Sequence, residues 1–198
     1  MPFDSAQRLY CGLLVCVTIH ILGWLTCVSS VQAAQTSYEE YEVKAAFLFN
    51  FAKYVEWPEK AFADERDPII VGVLGENPFK GRLEQIAKGK TIGERELVIR
   101  IFKRVQDIKK CHILFIGASE RNNMTEILKT LEEGHILAVG ETKEFALQGG
   151  IIGFTKEENK IRFEINADAA ERAGLKISSK LLKLARIVKN GKGRKENR

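Results

Sequence analysis

Cysteine is scarce in the part of this chain that can form a globular body. Four cysteines occur in 198 residues, and Cys11, Cys16 and Cys27 lie in one apolar N-terminal run, Leu9–Val28. Only Cys111 stands outside that run, so a disulfide within the folded body is excluded for want of a second thiol. The sequence leaves two interpretations of this lone thiol: a buried core residue, or the site of an intermolecular bridge.

The apolar N-terminal run has the anatomy of a secretory signal, because Arg8 precedes it and small residues follow it. Val31 and Ala33 fit the −3 and −1 positions of a cleavage site, so we predict cleavage after Ala33. The exported protein then has about 165 residues. An uncleaved membrane anchor is the alternative, because a run of twenty residues is long enough to cross a bilayer.

Acidic residues are nearly absent from the C-terminus, where positive charge is concentrated. The chain has a formal net charge of +5, and Lys183–Arg198 holds seven basic residues and one acidic residue. That segment contributes +6, so the remainder is close to −1. Such a tail is either solvated and disordered or attracted to an anionic membrane surface, and nucleic acid is not expected as a partner of an exported protein. We therefore predict a signal peptide over residues 1–33, one domain over 38–188 and a basic disordered tail over 189–198.

Motifs that carry catalysis or hold a cofactor are lacking as well. No glycine-rich phosphate loop follows the predicted strands, and histidine and cysteine do not recur at metal-ligand spacing. Ser119, His135 and an acid make a triad only on paper, because Ser119 lacks the Gly-x-Ser-x-Gly setting of a hydrolase nucleophile. We expect a binding module rather than an enzyme, with no catalytic residues, no metal and no cofactor, and keep a hydrolase as the remote alternative.

Apolar spacing predicts an amphipathic helix over Tyr38–Val55, which Pro58 ends. Its predicted buried face consists of Val43, Ala46, Phe47, Phe51 and Tyr54. Further helices are predicted with start and stop signals of the same kind, the first of them capped by Asn77. They cover Asn77–Ala87, Met124–Leu131, Thr142–Leu147, Ala167–Ala173 and Ser178–Val188.

Short apolar or alternating runs between these helices predict six strands. They cover Ile69–Leu74, Glu96–Lys103, His112–Ile116, Ile136–Val139, Ile151–Thr155 and Lys160–Ile165. The last two are separated by four polar residues, which predicts a hairpin. Alternation of strands and helices predicts an α/β fold: a single three-layer domain whose mixed, mainly parallel sheet has helices on both faces.

One segment next to the first helix and one predicted strand are richer in aromatic and charged residues than folding requires. Trp57 stands beside the helix end, where it is either a core residue or an anchor for a partner. Arg162 and Glu164 flank Phe163 in a strand, so both face away from Phe163. They form an ion pair with each other or line a groove.

A third group stands at the start of the last predicted helix. Ser178 is a candidate N-cap, and Lys176 precedes a helix N-terminus, where anions are favoured. Ser179 follows. With Trp57 and the Arg162–Glu164 pair, these residues are our candidates for binding a ligand or a partner.

The segment Tyr41–Pro58 resembles the opening signature of the YfiR-like family. Later blocks resemble that family in the same order, and the resemblance covers nearly all of the chain after the N-terminal run. These blocks are Gly75–Phe79, Gly149–Gly150, Arg162–Asn166 and Ala173–Leu182.

The resemblance implies a periplasmic, non-enzymatic α/β protein that forms homodimers. It implies a repressor of an inner-membrane diguanylate cyclase, and hence a role in cyclic-di-GMP signalling and biofilm formation. The alternative is a soluble small-ligand sensor for a membrane kinase or receptor, with Arg162, Lys176 and Ser178 near the ligand. Relatives often carry a second cysteine where Gly72 stands, able to bridge to the position of Cys111, and this chain departs from them there.

Overall fold

The computed structural model describes residues 38–108, 110–132 and 134–189. The predicted signal peptide and the tail beyond Lys189 lie outside the described residues. The helices are α1 (38–54), α2 (Arg82–Ala87), α3 (Met124–Leu131), α4 (Ala167–Arg172) and α5 (Ser179–Leu182). The strands are β1 (Val55–Glu56), β2 (Ile69–Leu74), β3 (Thr91–Ile92), β4 (Arg95–Phe102), β5 (Ile113–Ile116), β6 (Leu137–Gly140), β7 (Ile152–Glu157), β8 (Lys160–Asn166), β9 (Lys176–Ile177) and β10 (Arg186–Val188).

Eight of these strands form one sheet in the order β10-β8-β7-β6-β5-β2-β4-β3. The β7–β8 and β3–β4 pairs are antiparallel, and the other neighbours are parallel. The strands β1 and β9 form a separate antiparallel ribbon. The predicted α/β class and the mixed, mainly parallel sheet are confirmed.

Apolar residues of the central strands alternate between two core clusters. On β2, Val71 and Val73 pack in one cluster with Leu48 of α1, whereas Ile70 packs in the other cluster with Leu128 of α3. Successive side chains of a strand point to opposite faces of the sheet. Strands buried on both faces have continuous apolar sequences, and for this reason both ends of β2 were predicted correctly.

The helix α1 buries a stripe that coincides only in part with the predicted face, since Phe51 belongs to both. The stripe includes Ala45, Leu48 and Phe51, all fully buried, whereas Val43 is 44% and Tyr54 37% exposed. Several rotations of a helix rich in apolar residues satisfy the same 3.6-residue period. Contact with the sheet decided which of them is buried.

The helix α2 begins at Arg82, and the prediction that Asn77 caps it is wrong. The Asn77 side chain instead accepts a hydrogen bond from the amide of Phe79 at 3.0 Å, which closes a local turn. Gly81, at φ 86°, then leads into the helix. Asn is as suited to a turn as to a helix cap, because its short side chain reaches the backbone two residues on.

The segment Thr142–Leu147 forms turns rather than the predicted helix. Glu144 lies at φ 61°, a left-handed conformation that a right-handed helix cannot include. Hydrogen bonds from Phe145 to Thr142 and from Gly150 to Phe145 close the turns.

The predicted helix over Ser178–Val188 is also wrong, because it ends after the single turn α5. Arg186–Val188 becomes an edge strand that pairs in parallel with β8, with Ile187 opposite Ile165. The hairpin before it is confirmed, with a two-residue turn at Glu158 and Asn159 (φ 48° and 61°). Two positive φ values match a type I′ turn, whose twist suits a hairpin.

Candidate functional site

Trp57 belongs to an aromatic cluster built around His112, at the amino ends of β2 and β5. Its indole Nε1 donates to the backbone oxygen of His112 at 3.3 Å. The ring of Phe62 stacks on the His112 ring with centroids 4.5 Å apart, and the Arg95 guanidinium lies 3.7 Å from the Phe62 ring centre. Trp57 is half-buried, so part of its side chain packs against the protein and part is exposed to solvent.

The His112 ring is buried, and backbone groups hold both of its nitrogens. Nδ1 accepts from the amide of Ile70 at 3.0 Å, so the ring proton is on Nε2, which donates to the Ala61 oxygen at 3.2 Å. Burial lowers the pKa of His112, because the charged ring would lose its hydration. The residue is a neutral structural link between β2 and the loop after Trp57.

Lys176, Ser178 and Ser179 lie on or next to the β1–β9 ribbon. Lys176 is exposed and stands opposite Glu56. The amide of Ser178 donates to the Tyr54 oxygen at 2.9 Å, and its hydroxyl accepts from the Lys180 amide at 3.2 Å. Ser178 is therefore the N-cap of α5, as predicted, but α5 has only four residues and offers little of a helix dipole to an anion.

Glu164 forms an ion pair with Arg186 of β10, and not with Arg162 as one of the two sequence interpretations had it. The Glu164 side chain is only 6% exposed, and register places Arg186 beside it on the edge strand. The carboxylate raises the pKa of the Arg186 guanidinium through a hydrogen bond and its charge. Arg162 is exposed and stands opposite Thr155 of β7.

The six predicted site residues thus belong to two different strand pairs. Trp57, Lys176, Ser178 and Ser179 lie along or beside the β1–β9 ribbon, and Arg162 and Glu164 lie on β8. None of them lines a cavity of about 600 Å³ that the described residues form between α3, β6 and α4. Its lining includes Leu131, Ile136, Ala138 and Ala173, with the charged side chains Glu132 and Arg172. These apolar residues are indistinguishable from ordinary core residues in the sequence.

Ser119 and His135 are bound to different backbone groups. The Ser119 hydroxyl accepts from the amide of Glu76 at 3.0 Å, and His135 Nδ1 lies 2.7 Å from the Ala173 oxygen. Neither contact joins the two residues. Among the described residues, no group of three His, Cys, Asp or Glu side chains is placed to hold a metal ion.

Cys111 is buried, which favours the core interpretation over an intermolecular bridge. Its Sγ lies 3.0 Å from the Ile113 oxygen, in reach for a thiol donor. Burial raises the pKa of Cys111 to about 12, so the reactive thiolate is disfavoured.

A buried ion pair near the carboxyl end of β6 was missed by the sequence analysis. Lys44 of α1 lies 2.6 Å from Glu141, with side chains 5% and 9% exposed. Tyr41 donates to the same carboxylate, and its ring lies 4.5 Å from the ammonium group of Lys44. The sequence could have indicated this pair, because Lys44 lies on the same helix face as Leu48 and Phe51. A buried lysine nearly always has a partner.

A model of the family described as YfiR/HmsC-like (DUF4154) matches residues 41–186 of this sequence. This chain belongs to the YfiR/HmsC-like family. The predicted resemblance is confirmed, and the family suggests a periplasmic regulator of signalling. The matched range contains the Trp57 cluster, the Lys44–Glu141 pair and the Glu164–Arg186 pair.

Two solved structures share distant similarity with this YfiR/HmsC-like chain. A conserved domain protein from Vibrio cholerae O1 biovar El Tor is 13% identical, with 61% of this chain and 54% of that chain covered and a TM-score of 0.45. The ABC domain from Streptococcus pneumonia, in complex with L-Trp, is 10% identical, with coverage of 61% and 55% and a TM-score of 0.46. The chain spans about half the length of each. No curated protein matches the sequence, and no described helix is long and apolar enough to cross a membrane.

Proposed function

We propose that this YfiR/HmsC-like protein is a non-enzymatic periplasmic regulator that binds and represses an inner-membrane signalling enzyme, a diguanylate cyclase. The observation that carries the proposal is the family match over residues 41–186, nearly the whole described chain. Repression then lowers cyclic-di-GMP and biofilm formation. Residues 1–33 serve as the export signal, residues 38–188 as the regulatory domain and residues 189–198 as a basic tail.

The contact surface in this proposal is the exposed side of the β1–β9 ribbon with the adjoining end of α5. Lys176 and Ser179 are exposed there, and Trp57 presents a half-buried indole of the kind that anchors interfaces. Arg162 adds an exposed charge on β8, and charge complementarity favours one partner over others. Glu164 acts indirectly, because it holds Arg186.

A pull-down from solubilised membranes tests the contact, with cyclic-di-GMP measured in the same strains. We expect the wild type to retain a membrane cyclase, and Lys176→Glu to weaken retention and raise cyclic-di-GMP. Lys88→Glu is the matched control, because Lys88 is an exposed lysine at the end of α2. Retention of no signalling enzyme, together with unchanged cyclic-di-GMP on deletion of the gene, would refute the proposal.

The same proposal includes a homodimer. Analytical sedimentation of the exported protein tests it directly. A single monomeric species at every concentration measured would refute the homodimer.

A second candidate function, a small-ligand sensor for a membrane kinase or receptor, is favoured by the cavity between α3 and α4. Its volume of about 600 Å³ lies within the range of small-molecule sites, and its lining combines apolar side chains with two charged groups. Thermal-shift screening should find a ligand whose stabilisation is lost in Ala169→Leu, which narrows the cavity. Stabilisation by no compound, or equal stabilisation of both proteins, would exclude this candidate.

A further inference from the structure

The last described segment of the chain contains exposed aliphatic residues and basic residues, with no acidic residue among them. Leu184 is 70% exposed and Ile187 is 49% exposed, although Leu181 of the preceding helix α5 is buried. Lys180 and Lys183 are exposed before Leu184, and Lys189 is exposed after Ile187. We call these five residues the C-terminal edge surface.

Acidic residues are missing from this region of the sequence. Ala173–Lys189 contains five basic residues and no Asp or Glu. Beyond Lys189 the sequence adds four basic residues and one acid, Glu196. Two acidic side chains of the neighbouring hairpin act on the edge strand: Glu164 is paired with Arg186, and the charge of Glu157 also raises the pKa of the Arg186 guanidinium.

The position of β10 makes the surface accessible. It is the terminal strand of the eight-stranded sheet, and β8 is its one neighbour among the described strands. Leu184 and Ile187 are three residues apart, so their Cα atoms lie within about 10 Å of each other. Two exposed aliphatic side chains and three exposed lysines therefore lie within the short segment Lys180–Lys189.

We propose that the C-terminal edge surface binds an anionic phospholipid bilayer. Surfaces that lie on membranes combine lysines, attracted to anionic headgroups, with a few aliphatic side chains that enter the interface. Protein–protein interfaces, in contrast, are depleted of lysine at their centres. The binding holds the regulator at the membrane that contains its partner, and it requires no particular partner protein.

Co-sedimentation with lipid vesicles tests the proposal, using the exported protein purified from cells. Vesicles of phosphatidylglycerol and phosphatidylethanolamine are compared with phosphatidylcholine vesicles, at low and high salt. All proteins in the comparison keep the same N-terminus, so any lipid affinity of that region is common to them. We expect binding to the anionic vesicles only, weakened by salt because exposed charges are screened.

Two variants of the surface and one control make the test specific. Exchange of Lys180, Lys183 and Lys189 for Gln should weaken binding about a hundredfold, at about fivefold for each charge. Leu184→Ser with Ile187→Ser should weaken it at least about tenfold. The control exchanges three exposed lysines elsewhere, Lys88, Lys103 and Lys129, for Gln. It has the same net charge as the first variant and should bind like the wild type.

Other outcomes would overturn the proposal. Equal losses in the control variant would show that net charge, and not this surface, attracts the vesicles. No binding by the wild type, with a dimer that Leu184→Ser and Ile187→Ser convert to a monomer, would identify the surface as a contact between two copies. The vesicles contain no signalling enzyme, so these results stand whether or not the protein represses a cyclase. Melting curves are expected to stay within a few degrees of the wild type, because the exchanged side chains are exposed.

Discussion

The Sγ atom of Cys111 lies 2.8 Å from the position that a Cβ atom on Gly72 would occupy. Residue 72 on β2 and residue 111, which lies two residues before β5, thus face each other in the core. A cysteine at position 72, as the family resemblance implies for relatives, would be placed to bridge to Cys111. This chain has a glycine there, and the thiol fills the space instead.

We expect Gly72→Ala to destabilise the fold by about 1–3 kcal/mol through overpacking. The added methyl group would also stand 2.7 Å from the Phe102 ring and 2.9 Å from Leu114. Chemical denaturation of the exported protein measures the loss. The double variant Gly72→Ala/Cys111→Ala should lose less stability than the sum of the two single variants, because removal of the thiol makes room for the methyl group. Additive losses would mean that the two side chains do not compete for this space.

Regulation should not depend on Cys111 as a redox switch. The buried thiol has a pKa raised to about 12, so it should react slowly with alkylating reagents and form no bridge between subunits. We expect Cys111→Ser to leave dimerisation and control of the partner unchanged, with a stability loss of about 1 kcal/mol. Non-reducing gels and a partner assay check this. A covalent dimer in the wild type that disappears in the variant, together with lost control, would make the cysteine the switch.

Trp57 should contribute to stability through the cluster around His112. Trp57→Ala removes the indole and its hydrogen bond, and we expect a loss of about 3 kcal/mol. Trp57→Phe is the matched variant, because it keeps an aromatic ring and loses the bond to the His112 oxygen with only part of the packing. Melting and partner binding should be measured together. Unchanged melting with lost binding would show that Trp57 is a partner anchor alone.

The Lys44–Glu141 pair should be sensitive to the loss of either member. Lys44→Met leaves a buried carboxylate without its ammonium partner, at a cost of about 3 kcal/mol. The double variant with Glu141→Gln should recover part of this cost, because no charge is then left unpaired. Chemical denaturation of the single and double variants gives the coupling free energy between Lys44 and Glu141. A double variant no more stable than Lys44→Met would show that the pair is not coupled.

Stability should fall in mild acid because of His112. Its folded-state pKa is lowered by burial, whereas the unfolded ring titrates at about 6.5. The unfolded chain therefore binds a proton first, and the free energy of unfolding decreases as the pH falls below about 6.5. His112→Asn should flatten this part of the pH profile, and His135→Asn serves as the control. An unchanged slope in His112→Asn would place the titrating group elsewhere.

Part of the fold could be predicted from the sequence alone. β2 and α3 were predicted to the residue, because a run of apolar residues or a clear helical period leaves few alternatives. The β7–β8 hairpin followed from two alternating segments around a polar turn. The N-cap at Ser178 followed from local chemistry alone.

The sequence by itself determined the α/β class, the central strands, the lone thiol and the positive C-terminus, since each depends on neighbouring residues or on composition. Only the tertiary structure decided which face of α1 is buried, that Arg186–Val188 is a strand, and that Glu164 pairs with Arg186 instead of Arg162. The physical reason is the range of the contacts. Strand pairing and ion pairing over twenty or more residues depend on where the chain returns, and a local pattern that suits helix and strand equally does not contain that information.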